Sequence, residues 1–302
     1  MAILAVYPHA RTLQVAAWDE ALCEIAIFPL SACSDGIIEQ QLLPWLKTFI
    51  NTSQDLQFIV TSGGTPEFTS SLATHLGISA YTIDPATSSE CPPLTLVTGT
   101  PALTRRCAAD TFIFKYLVRQ EASDKGLELD EARFIVAHLD EENHLGALFG
   151  TSVLEALTSF DEGPFALRQS GALPFDSVLD LCMSSDGKDE VLKILHEEGG
   201  LAGYLGLQNL EDLWACQGEK ADAIREALVY QISKEIGALA TVLKGKVHSI
   251  ILAGELTRHE PFIEALAKRI GFVAPISVYP GNQGLSALLA GAQRILEQSP
   301  TQ

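Results

Sequence analysis

The chain has 302 residues, and its 38 acidic and 20 basic side chains give a formal charge of −18. With 47% hydrophobic residues and a mean hydropathy of +0.19 it is apolar enough to bury a large core, which excludes intrinsic disorder, and its length suits one large domain or two ordinary ones. Phosphate recognition rests mainly on Lys and Arg, so the charge argues against a nucleic-acid or anionic-membrane partner and opposes any phosphate chemistry.

Three short apolar or alternating runs open the chain: Ile3–Tyr7, Thr12–Trp18 and Leu22–Pro29, each predicted as a strand. A helix is predicted over Ile37–Ile50, with Ile37, Leu42, Trp45, Leu46 and Phe49 along one side. A buried strand at Leu56–Val60, a helix near Phe68–Leu76, a strand at Ser79–Ile83 and a long helix over Leu103–Glu121 follow. The second half repeats this order. Strands are predicted at Arg133–Leu139, His144–Phe149 and Thr151–Leu154, then helices at Val178–Cys182, Glu190–Glu197, Asn209–Cys216 and Ala221–Leu243. Val247–Leu252 is a strand, Glu260–Ile270 a helix, Ile276–Tyr279 a strand and Gly284–Glu297 the last helix. Each half opens with a β-meander and continues as α/β, which predicts a duplicated architecture with ligands on loops at strand ends.

The six cysteines show no C-x-x-C spacing and are expected as thiols in a reducing compartment. The N-terminus lacks the pattern of a signal peptide and no apolar run is long enough to span a bilayer, so the expectation is a cytoplasmic protein. Signatures for a P-loop, a zinc protease helix and a nucleophile elbow are absent. The run Gly200–Gly206 matches a dinucleotide fingerprint only in letters and reads as a loop or cap, and Gly63-Gly64 reads as a tight turn that could admit a phosphate. The most unusual segment is His138-Leu-Asp-Glu-Glu-Asn-His144. Extended, it would place His138, Asp140, Glu142 and His144 on one face, a possible divalent-metal site, whereas a turn in the middle would break that face.

Several blocks carry a family resemblance: FIVAHL (134–139), DEGPF (161–165), QSGALP (169–174), GGLAGYLG (199–206), YQISKEIGALA (230–240), FVAPISVYPG (272–281) and ALLAGAQRIL (287–296). ILAVYP (3–8), ISAYTIDP (78–85) and GTPALTRR (99–106) extend it into the first half. In these blocks the chain resembles butyrate kinase, of the acetate kinase family. The resemblance implies an α/β, duplicated actin-like ATPase fold of the acetate and sugar kinase/actin superfamily, with two domains each opening with a β-meander. It places an N-terminal domain at 1–132, onto which the final helix, 284–302, packs back, and at 133–283 the domain corresponding to the nucleotide-binding half. It implies transfer of phosphate between ATP and a short-chain carboxylate, with Mg²⁺, and association into a homodimer.

The positions that should carry this chemistry are replaced. Tyr7–Gln14 stands where the family has a Gly- and hydroxyl-rich phosphate loop ending in Lys, with Arg11 in place of a small residue. A second phosphate loop, H-L-G-G-G in the family, reads His138-Leu-Asp140-Glu141-Glu142, so three carboxylates stand where glycines let amides approach phosphate. Family arginines fall at Ser62, Leu96 and Gln169, with Arg168 displaced by one; an acidic residue falls at Ser89 beside retained Glu90, and a histidine at Asp110. The adenosine motif T-G-G becomes Ala253-Gly254-Glu255, and the late acidic pair after Gly281 becomes Asn282 and Gly284. The degenerate cofactor positions are therefore His138, Asp140, Glu141, Glu142, Gly254, Glu255, Gly281 and Asn282. This is the pattern of a butyrate-kinase-like protein without acyl-kinase activity, serving binding, assembly or regulation through an unknown small molecule or protein. The alternative is an active carboxylate kinase using ATP and Mg²⁺ with Glu90, Arg105, Arg106 and Arg168 as substitutes. A third reading has the acidic 138–144 loop holding a metal or cationic ligand.

Overall fold

The computed structural model describes residues 2–298 except 10, 20–22, 30–34, 49, 51–54, 63–65 and 86–90. It divides into two compact units, Met1–Ala86 with Asp110–Tyr116 and Gln283–Gln302, and Thr87–Ala109 with Leu117–Asn282.

In the first unit β1 (Ala2–His9), β2 (Thr12–Trp18) and β3 (Cys23–Pro29) form the antiparallel meander, and β4 (Leu56–Thr61) and β5 (Ser79–Thr82) add to β1 in parallel, giving the order β3-β2-β1-β4-β5. Leu4, Val6, Leu13 and Val15 project from the sheet into a core shared with Ile38, Leu42 and Leu72. The helix expected through Ile50 is instead α1 (Asp35–Ile37), a π-helical turn at Ile38–Leu42, and α2 (Leu43–Leu46). Pro44 supplies the reason. Lacking an N–H it breaks the ladder just after Leu43, whose own N–H reaches back to Ile38 O. α3 (Pro66–Leu76) lies between β4 and β5 in the chain.

The long helix expected from Leu103 begins only at Thr111, as α4 (Thr111–Lys125). Residues 103–110 are extended because Thr104 bridges to Val97 and Cys107 is joined to Cys91 by a disulfide, their Cα atoms 6.2 Å apart. That cross-link departs from the expectation of six thiols: 15 intervening residues match no motif, and only the turn between Val97 and Thr104 brings the pair together. Among the described residues Cys23, Cys182 and Cys216 remain thiols.

The second unit repeats the first. β6 (Arg133–Leu139), β7 (Asn143–Phe149) and β8 (Ser152–Thr158) form the meander, and β9 (Ser249–Gly254) and β10 (Ile276–Pro280) join β6 in parallel, in the order β10-β9-β6-β7-β8. β6 and β9 are buried on both faces, which accounts for their nearly unbroken apolar sequences. Between β8 and β9 come α5 (Phe175–Ser184), α6 (Lys188–His196), α7 (Gly200–Leu205) and α8 (Glu219–Val242). α8 packs Ile232, Ile236 and Leu239 onto the sheet core, joined by α9 (Glu260–Ile270) through Phe262 and Leu266. The glycine-rich run read as a loop or cap holds the short helix α7, with Gly199 at its N-cap and left-handed Gly206, at φ 72°, at its C-cap. The helix expected over Asn209–Cys216 shrinks to a 3₁₀ segment, Leu210–Trp214. No helix among the described residues is long and apolar enough to cross a membrane.

Within the first unit the C-terminal helix, Gly284–Gln298, rests on β1 at a glycine. A Cβ on Gly284 would lie 2.0 Å from Tyr7 Cε1, and that ring is 2% exposed and held edge-on against Phe112 at 5.6 Å. Gly284→Ala is therefore expected to cost about 1–3 kcal/mol by overpacking and to lower the thermal midpoint by several degrees. A midpoint within about 1 °C of the parent would mean that the ring has room to move.

Candidate functional site

Parallel pairing sets the site. Register partners His138↔Ala253 and Pro280↔Gly254 bring β6, β9 and β10 to an end at the same edge of the sheet, so the loops that follow them meet there. The β6–β7 hairpin turns through residues 140–142, with Leu139 opposite Asn143. Gly254 and Gly281 exchange two N–H···O bonds of 3.1 Å, which ties the loops after β9 and β10 together. Gly254 has φ 99°, and a Cβ there would lie 2.2 Å from Leu139 O, so close approach of β9 to β6 requires glycine.

Asp140, 2% exposed, occupies the centre of this edge. Its Oδ1 accepts the Glu141 N–H at 2.8 Å, and its Oδ2 accepts the Glu255 N–H at 3.3 Å and Asn282 Nδ2 at 3.2 Å. Glu255 completes the closure. Its Oε1 accepts the Asn282 N–H at 3.0 Å, and its Oε2 accepts Arg258 Nε at 2.6 Å. Arg258 lies over Gly281, where a Cβ would come within 2.3 Å of its Nη2, and its pKa is raised first by the hydrogen bond to Glu255 and then by the charges of Glu255 and Asp140. Three backbone N–H groups at this edge, those of Glu141, Glu255 and Asn282, are thus satisfied by the protein's own carboxylates.

Of the eight positions singled out from the sequence, Asp140, Glu141, Gly254, Glu255, Gly281 and Asn282 come together directly. His138 is on β6, 1% exposed and opposite His144, their rings 6.5 Å apart. Glu142 turns to His144, its Oε2 3.6 Å from Nε2, while the Glu141 carbonyl accepts the Leu167 N–H at 3.2 Å. The single extended face that would carry His138, Asp140, Glu142 and His144 is broken by the hairpin: Asp140 looks to β9 and β10, Glu142 to His144. Among the described residues no group of three or more His, Cys, Asp or Glu is placed to hold a metal ion.

The candidate substitutes lie elsewhere. Arg105 Nη1 is 2.9 Å from Glu155 Oε1 and its Nε bonds Glu162 Oε2, so its guanidinium joins two carboxylates. Arg106 is exposed, Arg168 donates to Gln208 O at 2.8 Å, and Gln169 is buried. Glu90, Ser89 and the Gly63-Gly64 pair lie outside the described residues. Residues of the first predicted phosphate loop are paired between β1 and β2, Tyr7 opposite Gln14, and Asp110 accepts the Tyr7 hydroxyl at 3.4 Å.

Beside the Glu255 loop is a groove of about 440 Å³ lined by Leu210, Glu211, Trp214, Glu255, Leu256 and His259. His259 stacks on Trp214 at 3.7 Å and 3°, and burial, with a smaller effect of Arg225, lowers its pKa. Sequence reading does not single out Arg258, Trp214 or His259. For Arg258 a signal exists, because Glu255-x-x-Arg258 has the spacing of a pair on one helical turn. Trp214 and His259 come from separate segments and leave no local pattern.

The fold has counterparts among solved structures. Two sheets of identical order, each a meander extended by parallel strands, make the duplicated α/β fold of acetate kinases: the Porphyromonas gingivalis acetate kinase structure superposes with a TM-score of 0.78 over 98% of this chain and 100% of that one, at 13% identity. Among sequence relatives, "Probable butyrate kinase 2" of Caldanaerobacter subterraneus subsp. tengcongensis is 34% identical over 236 residues, 76% of this chain and 66% of that protein. "Butyrate kinase 2" of Clostridium acetobutylicum is 32% identical over 231 residues, 75% of this chain and 65% of its own length. Over this span the chain is similar to butyrate kinases. Its match spans just under two thirds of the length of these curated relatives, at 66% and 65%. No family model matches it.

A second polar cluster lies within the same unit. The Glu121 carboxylate, 1% exposed, is reached by Lys125 Nζ at 2.6 Å, Ser277 Oγ at 2.7 Å and the Tyr279 hydroxyl at 2.9 Å. That hydroxyl is also 2.8 Å from Asp124 Oδ2, and its one proton serves one carboxylate at a time. Burial and then the two carboxylates raise the Tyr279 pKa far above its usual value. For Glu121 burial alone would raise the pKa, but the hydrogen bonds from Lys125, Ser249, Ser277 and Tyr279 outweigh it and hold the group below its ordinary value. A carboxylate with a lowered folded-state pKa stabilises the fold at higher pH and loses that contribution as pH falls through the folded value. Glu121→Gln should therefore destabilise the protein most near pH 7, with the gap to the parent narrowing below about pH 4 in urea denaturation. A gap constant from about pH 3 to 7 would remove the linkage.

Proposed function

We propose that this butyrate-kinase-like chain has lost acyl-kinase activity and serves a binding, assembly or regulatory role. The observation supporting this reading is the closure of the strand-end loops by their own carboxylates. Asp140 and Glu255 accept the three backbone N–H groups at the place that the family resemblance assigns to phosphate and adenosine recognition. To bind there, a nucleotide would have to displace both side chains and then lie beside them. Two unit charges at 4 Å repel by about 4 kcal/mol at an effective dielectric of 20, against roughly 5.5 kcal/mol for an entire 100 μM affinity. Mg²⁺ would supply charge neutralisation, but Asp140 already takes three donors and Glu142 faces His144. The residues present do not fit ATP·Mg²⁺.

The competing reading, an active carboxylate kinase with an altered site, needs free cations near the transferred phosphate. Arg105 is committed to Glu155 and Glu162, and Arg168 donates to Gln208 O, which weighs against both as substitutes.

Calorimetric titration with ATP·Mg²⁺ should give no binding tighter than about 100 μM, and acetate, propionate and butyrate should yield no acyl phosphate in a hydroxamate assay. Restoring glycine at Asp140, Glu141, Glu142 and Glu255 together is expected to tighten nucleotide binding by about tenfold or more. Acyl-phosphate formation by the unaltered chain, or nucleotide affinity in the low micromolar range, would overturn the proposal.

A further inference from the structure

Helix α5 is packed unlike the other long helices: none of its ten residues is buried. Phe175, Leu179 and Met183, spaced four apart, are 92%, 61% and 81% exposed and form one stripe. Val178 and Leu181, on an adjoining side, line a groove of about 620 Å³ with Leu173, Ile194, Leu195 and Tyr204. At 100° per residue these five side chains cover an apolar arc of roughly 200°, wider than a surface helix needs for its own packing. A continuous apolar patch of this kind on a soluble surface marks a binding site.

Charge selects the occupant. The segment from Leu173 to Glu198 carries Asp176, Asp180, Asp186, Asp189, Glu190, Glu197 and Glu198 against only Lys188 and Lys193. All seven acids are exposed, and Lys193 is already paired with Glu198 at 2.5 Å. With Glu198 lining the groove and Asp176 and Asp180 on α5 beside the stripe, this apolar surface repels a fatty-acid carboxylate, an anionic membrane and a second copy of this chain, which brings the same acids and a charge of −18. It complements a helix with one apolar face and flanking Lys or Arg, the helix-in-groove mode of recognition. We infer that α5 and the groove beside it form the docking site for a basic amphipathic helix of a partner protein. Large side chains of that helix enter the groove at i and i+3 or i+4, its cations meet the α5–α6 rim, and Met183 adapts the contact. The inference is independent of the reading of the strand-end site, since none of the groove-lining residues belongs to it.

The test uses the full chain and a labelled Leu/Lys peptide of about 18 residues with apolar positions at i, i+3, i+4 and i+7, followed by fluorescence anisotropy. Saturable binding in the micromolar range is expected, at least tenfold tighter than for a scrambled peptide of the same composition. Leu179→Ser with Met183→Ser, and separately Asp176→Asn with Asp180→Asn, should each weaken binding about tenfold, the apolar pair leaving its salt dependence intact and the acidic pair reducing it. These positions are exposed, so circular dichroism should show both variants folded as the parent. Equal affinity for the scrambled peptide, or affinity unchanged by both pairs of substitutions, would overturn the inference. A homodimer in sedimentation velocity that Leu179→Ser with Met183→Ser dissolves would also overturn it, because the patch would then belong to a second copy.

Discussion

A carboxylate removed from water must be given hydrogen-bond donors, and the donors available inside a sheet edge are the backbone N–H groups of the loops that leave it. Asp140 imposes that demand at the end of β6. Its two oxygens draw in amides from three loops, and Glu255 repeats the arrangement one position outward by taking the Asn282 N–H and Arg258. Amides left unpaired at the ends of parallel strands make an anion site. Here the carboxylates that take those amides are part of the chain itself.

The scaffold that delivers these loops is intact. Both units keep the meander and the parallel extension in the same order, and the glycines needed for close backbone approach remain, Gly254 against Leu139 and Gly281 beneath Arg258. Packing and polar chemistry are therefore carried by different residues here. A residue such as Gly254 is fixed by steric contact whether or not anything binds, whereas Asp140 and Glu255 are compatible with the fold because each finds donors within it.

Much of this was legible from sequence. β2, β6 and α9 follow the expected residues end to end, because alternation, an unbroken apolar run and a proline-opened amphipathic helix are local signals. Failures occurred where distant contacts decide. Residues 103–110 have helical letters but are drawn into an extended path by Val97 and Cys91, and the helix expected through Ile50 turns π-helical ahead of Pro44 and stops at Leu46. At the site, the likeness to a kinase family pointed to Asp140, Glu255 and Asn282 as neighbours. No spacing rule could do so, since Asp140 is 115 residues from Glu255 and 142 from Asn282. Arg258 was within reach of a helical-spacing argument, whereas the Trp214–His259 stack and the Glu121–Tyr279 cluster, 158 residues apart, depend on tertiary structure alone.

The Cys91–Cys107 cross-link has a consequence for how breakage of the chain would be seen. It closes residues 91–107 into a ring whose outer positions, Leu94, Val97 and Leu103, are 77%, 75% and 66% exposed, the kind of loop surface that proteases attack. A cut between the two cysteines would divide the backbone yet leave both fragments joined through sulfur. The nicked molecule would keep its full mass without reductant and part into two pieces only once a thiol reagent opened the ring.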